Sequence, residues 1–198
     1  SLEFMGQLEE ILNPKNTEVH EDFRLWITCE PHPDFPLGLL QMAIKVTTEP
    51  PKGLQAGLYR TFSTTITPDY LEKVEPLDHW RSLLFAVCFM HSVVQERRKF
   101  GPLGWNIRYE FNDSDLETSL TMLPLLLEDQ EDIPWESLLF IIGEITYGGR
   151  VTDDLDIRCL MSMLSLVLNP KIQEDDYKFS DSGIYYPPND GNIKTFTD

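Results

Sequence analysis

The sequence has few positively charged residues. Its 198 residues include 16 Lys and Arg against 33 Asp and Glu, so the formal net charge is -17 at pH 7. Proteins that bind nucleic acid need clustered Lys and Arg to neutralise phosphates, and binding to an anionic membrane surface depends on the same charges. The composition therefore argues against nucleic acid and against a membrane surface as partners.

Long apolar runs are also missing. The longest, residues 83–90, is much shorter than the ~20 apolar residues that a membrane-spanning helix requires. The N-terminus lacks the basic and apolar regions of a signal peptide, and residues 1–4 before Met5 are typical of an expression-vector remnant. We therefore expect no membrane span and no signal peptide, and we expect residues 1–7 to be vector-derived and linker sequence.

Cysteine is scarce. The three cysteines, Cys29, Cys88 and Cys159, are an odd number, and two of them fall within apolar helical patterns. A disulfide framework requires paired cysteines in an oxidising compartment. We expect reduced, buried thiols in a cytosolic protein, with a disulfide as the alternative.

Signatures of nucleotide, metal and covalent chemistry are missing as well. The sequence has no G-x-x-x-x-G-K-[ST] phosphate loop, no H-E-x-x-H pair, no cysteine pair at zinc spacing and no nucleophile elbow. The acidic runs at residues 128–132 and 174–176 do not have the spacing of a calcium-binding loop, which favours solvated surface. We therefore expect no catalytic, cofactor-binding or metal-binding residue in this chain.

One proline-rich loop is an alternative site. Glu30, His32 and Asp34 place two carboxylates and an imidazole close together in the sequence, a combination that suits acid–base chemistry. Its prolines equally suit a turn that only redirects the chain. His91, in contrast, lies on an apolar helical face, and we expect it to be a hydrogen-bonded core residue.

The strongest pattern that is present predicts a long amphipathic helix over residues 78–99. Asp78 is placed to cap its start, residues 97–99 put cations at its C-terminal end, and Gly101 with Pro102 ends it. The middle of the helix is apolar nearly all round, so other elements must cover it on several sides. The apolar faces contain Trp80, Leu83, Leu84, Phe85, Val87, Cys88, Phe89, His91 and Val94.

The residues before this helix predict a short α/β segment. Residues 23–28 alternate large apolar side chains and residues 43–48 are rich in β-branched residues, so both are predicted strands. Residues 54–62 continue a helical stripe, and the polar residues 64–76 suit a linker.

The connection after the long helix is rich in aromatic residues. Trp105, Ile107, Tyr109 and Phe111 alternate there, so we expect these side chains to hold the connection against the core. Trp80, Trp105 and Trp135 are the expected packing anchors of the fold.

Three further helices follow. In the first, Ser114 and Glu117 have the spacing of a capping box, and Pro124 should kink or break the helix. Pro134 suits the first position of the second helix, and Thr152 suits the N-cap of the third. The predicted buried faces are Leu116, Leu120, Leu123 and Leu127, then Leu138, Ile141, Ile142 and Ile145, and finally Leu155, Cys159, Ser162, Met163 and Leu166.

These elements predict a mainly α fold, a helical bundle preceded by a short α/β piece. Pattern alone favours a globular interaction module, an acidic helical adaptor or scaffold that binds a protein partner. An enzyme that uses the loop of Glu30, His32 and Asp34 is the other class that remains open.

Four long stretches occur in an order that one family shares. They are DFRLWITCEPHPDFPLGLLQMAIKVTTEPPKGLQAGLYRTF, GPLGWNIRYEFNDSDL, ITYGGRVTDDLDIRCL and YKFSDSGIYYPPNDG. Together they resemble the dynein heavy chain family in its axonemal (ciliary) branch, over residues 8–198. The resemblance implies the sixth AAA+ module of the motor ring, with the C-terminal part of its large subdomain at 8–66, its helical lid at 67–172 and an extension toward the C-terminal region at 173–198.

The resemblance implies that the parent chain is an ATP-driven, minus-end-directed microtubule motor of cilia and flagella, with ATP and Mg bound in other modules. This fragment is then a structural ring module that relays conformational change and is not itself an enzyme. The implied partners are the neighbouring AAA+ modules and C-terminal region of the same heavy chain, microtubules, and the dynein intermediate and light chains. The implied location is the cytoplasm, the cytoskeleton and the ciliary axoneme.

The resemblance also bears on three single residues and on the predicted strands. Thr28, Arg150 and Arg158 match the places where related modules carry nucleotide-sensing residues, and we assign none of them a catalytic role. The two strands normally flank a strand that precedes the phosphate loop and is missing here, so their backbone groups lack partners. We expect the α/β piece to be poorly ordered or to make intermolecular contacts, and the lid to be well packed.

Overall fold

The computed structural model describes residues 2–12, 20–29, 32–46, 51–72, 80–128, 130 and 132–188. The chain divides into two units, Ser1–Glu49 and Pro50–Asp198. The expectations that concern Glu30, Asp78 and parts of the acidic run at 128–132 lie outside the described residues.

In the first unit, the described residues form two helices, and the rest of them have no regular secondary structure. Helix α1 spans Leu2–Leu12 and α2 spans Leu37–Met42. Residues 23–29 and 44–46 have no strand pairing, so both predicted strands are wrong over the part that is described. A strand needs a neighbour to pair its backbone groups, and the described residues of this chain contain none. Their side chains are accordingly exposed, with Trp26 at 87 % and Ile44 at 95 %.

The second unit is helical, and the prediction of a mainly α chain is confirmed. Its α-helices are α3 (Leu54–Thr64), α4 (Pro68–Leu71), α5 (Trp80–Arg97), α6 (Asp113–Leu127), α7 (Trp135–Leu138) and α8 (Asp154–Val167). Short 3-10 helices lie at Arg98–Leu103, Gly148–Arg150 and Pro170–Gln173, and a π-helix at Leu139–Tyr147 directly follows α7.

Helix α5 is the centre of this unit, as its sequence pattern predicts. Every side chain from Ser82 to Ser92 is buried. Helices α3, α6 and α8 and the 3-10 helix Pro170–Gln173 pack against α5. The segment after α8 adds Phe179, whose ring stacks on Phe89 with 4.7 Å between centroids and on Phe85 with 6.1 Å. The residues that follow α8 therefore complete the same hydrophobic core.

Helix α6 begins at different residues from those predicted. Asn112 is its N-cap and accepts a hydrogen bond from the Ser114 amide at 3.1 Å, while Asp115 accepts one from the Asn112 amide at 2.9 Å. The predicted capping pair of Ser114 and Glu117 is therefore wrong. Asn caps a helix as well as Ser does, so the pattern alone does not decide between the two starts. The predicted buried face of α6, by contrast, is confirmed.

Helix α8 is also capped differently, and its buried face is shifted. Asp153, not Thr152, accepts hydrogen bonds from the first free amides, those of residues 155 and 156, at 2.9 and 3.1 Å. The buried side chains are Asp156, Leu160, Leu164 and Val167. The predicted stripe of Leu155, Cys159, Ser162, Met163 and Leu166 is therefore wrong by one position, and Leu155, Ser162 and Leu166 are exposed.

The π-helix explains why the predicted face of the third helix is only partly correct. Hydrogen bonds from residue i to i+5 widen each turn, so the buried face runs through Leu138, Ile142 and Tyr147, and Ile145 is exposed. Gly143 faces α8 so closely that a Cβ there would lie 2.4 Å from the Leu164 side chain. This close approach sets which face of α8 is buried.

Pro124 lies inside α6 without ending it. A proline has no amide hydrogen, so the carbonyl of Leu120 loses its partner within the helix. In the structure this carbonyl accepts a hydrogen bond from the Tyr70 hydroxyl. Burial raises the pKa of Tyr70, so the hydroxyl keeps its proton and remains a donor at neutral pH. Of the two outcomes expected for Pro124, a kink or a break, the break is wrong, and another element supplies the donor that the helix lacks.

We expect Tyr70→Phe to lower the free energy of unfolding by about 1–2 kcal/mol, because the Leu120 carbonyl is left without a donor. The measurement is chemical denaturation of the purified chain. In a Pro124→Ala background the alanine amide can bond the Leu120 carbonyl, so the cost of Tyr70→Phe should shrink. Tyr59→Phe at an exposed position of α3 is the matched control, and an equal loss in both backgrounds would contradict the explanation.

Candidate functional site

Of the three residues that the sequence offered for acid–base chemistry, the structure describes His32 and Asp34, and Glu30 lies outside the described residues. The Asp34 amide donates a hydrogen bond to His32 Nδ1 at 3.1 Å, and both side chains are exposed. This contact closes a local turn, as expected of a proline-rich loop that redirects the chain. Thr28 is also exposed.

The two arginines that the resemblance pointed to, Arg150 and Arg158, have different surroundings. Arg150 Nε donates a hydrogen bond to Asp115 Oδ1 at 2.6 Å, and its Nη2 lies 3.4 Å from Asn112 Oδ1. Arg150 thus ties the end of the π-helix region to the capping box of α6. Arg158 is exposed on α8.

The second unit contains a buried, hydrogen-bonded carboxylate, that of Asp156, which the sequence analysis did not identify. Asp156, only 4 % exposed, accepts hydrogen bonds from the amides of Asn106 and Ile107 at 3.0 and 3.2 Å and from the Tyr109 hydroxyl at 3.0 Å. Its position in the first turn of α8 places the negative charge near the positive end of the helix dipole. We call residues 98–112, which join α5 to α6, the connecting loop; Asp156 holds this loop to α8.

Arg97 holds the same loop from the other end. Its Nε and Nη2 donate to the Gly104 carbonyl at 3.1 and 2.7 Å, and its guanidinium lies 5.1 Å from the centre of the Trp105 ring. Gly104 comes so near that a Cβ would lie 1.9 Å from the Arg97 carbonyl oxygen, and Gly101 has φ +55°. Both positions therefore require glycine.

Aromatic packing confirms most of the prediction for the connecting loop. Trp105 is 3 % exposed, its ring centre lies 5.9 Å from that of Tyr109 and 5.7 Å from that of Phe111, and its Nε1 donates to the Val94 carbonyl at 3.4 Å. Ile107 is exposed, so it is not one of the residues that hold the loop.

His91 is the hydrogen-bonded core residue that its position predicts. Its Nδ1 lies 2.8 Å from the Tyr147 hydroxyl, and both side chains are buried. Burial lowers the pKa of His91 from 6.5 to about 4, although the carboxylates of Asp113 and Asp115 act in the opposite direction. The imidazole is therefore neutral in the folded protein at pH 7.

This pKa shift predicts a loss of stability in acid. Because His91 binds its proton more weakly when folded than when unfolded, its contribution is complete above pH 6.5 and is lost as the pH falls to about 4. The expected loss is up to about 3 kcal/mol. We expect His91→Gln to remove this part of the pH dependence in denaturant titrations, whereas His20→Gln at an exposed position should leave it intact; equal pH profiles for the two variants would contradict the assignment.

Among the described residues, no three or more His, Cys, Asp or Glu side chains are placed to hold a metal ion, and none of the helices has the length and apolar character of a membrane span. The cysteines are free thiols, with Cys88 buried, Cys159 half-buried and Cys29 exposed.

Comparisons with known proteins agree with the helical architecture. The family model for the dynein heavy chain AAA lid domain matches residues 80–198, and that for the dynein heavy chain region D6 P-loop domain matches residues 1–47. The connecting loop and Asp156 both lie within the first of these matches.

Individual relatives are similar over nearly the whole chain. Dynein axonemal heavy chain 6 of Homo sapiens is 46 % identical over 98 % of the chain, dynein axonemal heavy chain 3 of Homo sapiens 44 % over 96 %, and dynein axonemal heavy chain 1 of Mus musculus 43 % over 93 %. The chain spans only 5 %, 5 % and 4 % of the length of these relatives. The resemblance to axonemal heavy chains is confirmed, and the chain belongs to the dynein heavy chain AAA lid family.

Proposed function

We propose that this chain is a structural module of a dynein motor ring that transmits conformational change and does not itself hydrolyse nucleotide. The observation that supports this role is the fixed connecting loop. Asp156 binds it from α8, Arg97 binds it from α5, and Trp105 fills the space between. A helical unit held in this way can move as one body.

Rigidity matters because a displacement applied to one side of a module reaches the other side only if the interior does not yield. Packed cores and satisfied buried polar groups resist deformation. Helix α5 is buried along its length, and the helices around it are tied by Arg150 to Asp115 as well as by Asp156. These contacts make the second unit suited to relay a rigid-body shift.

The relatives are named dynein axonemal heavy chains, and we propose for the whole protein the activity that this family name carries. It is then an ATP-driven, minus-end-directed microtubule motor of cilia and flagella, located in the cytoplasm, cytoskeleton and axoneme. ATP and Mg are bound by other modules. The partners of the present chain are the adjoining AAA+ modules and the C-terminal region of the same heavy chain, and the complete motor engages microtubules and the intermediate and light chains.

The relay is tested in the full heavy chain with Tyr109→Phe, which keeps the ring and removes two hydrogen bonds of the hydroxyl, one donated to Asp156 and one accepted from the Asp153 amide. We expect microtubule gliding velocity and microtubule-stimulated ATP turnover to fall about twofold or more, the size expected when coupling weakens by 0.5–2 kcal/mol. Basal ATP turnover should not change, since the nucleotide sites are not touched. Tyr59→Phe, at an exposed tyrosine of α3, is the matched control.

Two results would contradict the proposal. One is a Tyr109→Phe motor with normal coupling, although the same substitution increases hydrogen exchange of the connecting loop. The other is saturable binding of ATP or ADP to the present chain in isothermal titration calorimetry, because the proposed relay module does not bind nucleotide.

A further inference from the structure

The π-helix at Leu139–Tyr147 brings residues that are five apart in the sequence to the same side. Ile142 and Tyr147 are both fully buried, and Phe140 and Ile145 are both exposed. An α-helix buries residues at spacings of three and four instead. The burial of this segment therefore follows the π-helical spacing.

The sequence of the same segment also fits a second arrangement. Leu138, Ile141, Ile142 and Ile145 have the spacing of one α-helical face, which is why the sequence pattern predicts that face to be buried. In an α-helix of about 3.6 residues per turn, Tyr147 comes about two and a half turns after Leu138 and therefore lies on the opposite side. An α-helical register thus buries Ile145 and exposes Tyr147, the reverse of the observed π-helix.

Specific contacts hold the observed register. The Tyr147 hydroxyl lies 2.8 Å from His91 Nδ1, and its ring centre lies 5.7 Å from that of Phe111. Gly143 faces α8, where a Cβ would lie 2.4 Å from the buried Leu164 side chain, so this register requires a glycine at 143. A π-helix longer than one turn is rare, which indicates that it is the less favourable helix unless contacts of this kind support it.

We propose that residues 138–150 are a two-state element that changes between this π-helical register and an α-helical register in which Ile145 replaces Tyr147 in the core. Two packings of one sequence that differ little in free energy are a known basis for conformational switching. The wider π turn advances less along the axis per residue, so residue 147 of the π-helix takes about the place of residue 145 of an α-helix. Either side chain can therefore cover the same part of α5.

The change of register has a consequence beyond the segment itself. Arg150 follows the π-helix and donates a hydrogen bond from Nε to Asp115 Oδ1 at 2.6 Å, which ties the segment to the first turn of α6. Turning the segment about its axis moves Arg150 relative to Asp115. The register of the helix is thereby coupled to this ion pair. The two-state element does not depend on the relay role.

The test reads the register with a thiol introduced by Ile145→Cys, in the present chain with Cys29→Ser and Cys159→Ser and with Cys88 left buried. A water-soluble disulfide reagent reacts with the thiol only when it is exposed. Gly143→Ala places a methyl group against α8 in the π-helical register and favours an α-helix. We expect Gly143→Ala to slow the reaction about tenfold or more, because the α-helical register buries position 145.

A second variant shifts the equilibrium by another route, and a third is the matched control. Tyr147→Gln removes the side chain that the π-helical register buries, so it should also slow the reaction at position 145. Gly149→Ala is the same change as Gly143→Ala at a glycine whose Cβ would meet no atom within 4 Å, and it should leave the rate unchanged.

Ile145→Glu in a chain with its native cysteines checks the assignment by stability. It should leave the wild-type melting temperature unchanged, because Ile145 is exposed, and should lower it by several degrees in the Gly143→Ala background, where position 145 is buried. Equal effects in the two backgrounds would overturn the proposal.

The thiol experiment overturns the proposal in three ways. The variants at 143 and 147 can leave the thiol as reactive as the Gly149→Ala control does, so that no second register is reached. They can make it more reactive, which is the result of a local loss of structure. They can also both fail to fold by circular dichroism, since the chain then has no α-helical register to adopt.

Discussion

Trp105→Ala is expected to lower the free energy of unfolding by about 3–5 kcal/mol, the cost of removing a large aromatic side chain from a packed interior. Trp105 is almost fully buried, packs against Tyr109 and Phe111, and lies under the guanidinium of Arg97. Its loss leaves a cavity in the centre of the connecting loop and frees the Val94 carbonyl from its hydrogen bond. Chemical denaturation followed by circular dichroism measures the change.

The chain provides its own control for this substitution. Trp26 lies in the first unit with 87 % of its surface exposed, so Trp26→Ala removes a side chain of the same size from solvent. We expect Trp26→Ala to change the free energy of unfolding by less than about 0.5 kcal/mol. If the two variants unfold at the same denaturant concentration, Trp105 does not hold the loop.

Asp156→Ala is expected to cost about 3–4 kcal/mol. The substitution leaves the Asn106 and Ile107 amides and the Tyr109 hydroxyl without their acceptor, and each buried donor left unpaired costs about 1–3 kcal/mol. The amides of residue 106 and residue 107 are only partly buried, so water recovers part of this loss. Hydrogen exchange of these two amides should accelerate together with the fall in denaturation midpoint.

Asp154→Ala is the matched control, since Asp154 lies in the same first turn of α8 but is exposed. It loses a favourable interaction with the helix dipole, expected at about 0.3–1 kcal/mol. Asp156→Asn keeps the shape and one acceptor oxygen, so we expect an intermediate loss. Equal destabilisation by the alanine variants at 154 and 156 would show that Asp156 acts only through the dipole.

The candidate site was only partly predictable. The alternation of Trp105, Tyr109 and Phe111 indicated that the connecting loop is held against the core, because exposing several aromatic side chains to water is energetically unfavourable. Arg97 and Asp156 were not identified for this role. A charged residue at a helix terminus has an ordinary explanation in the helix dipole, and nothing in its local sequence reveals that a distant loop supplies hydrogen-bond partners. The one available signal was the acidic first turn of α8.

The local sequence pattern predicts which face of a helix is buried for some helices and not for others. Helix α5 is apolar nearly all round, so any packing partner buries it, and its position at the centre follows from sequence. Helix α8 has apolar residues on more than one side. From its sequence, the face that contains Leu155 and the face that contains Leu160 are equally good candidates for burial. Gly143 of the π-helix removes a side chain where α8 approaches, and this contact buries Leu164 and exposes Leu166.

The sequence by itself determined the central helix, the mainly α composition, the core position of His91 and the family, because each depends on residues close together along the chain or on long contiguous motifs. Only the tertiary structure decided that Pro124 is tolerated and that Asp156 fixes the connecting loop. In both cases the partner of a backbone or side-chain polar group lies far away in the sequence. Hydrogen bonds of that kind form only when the chain folds, so a local pattern does not specify them.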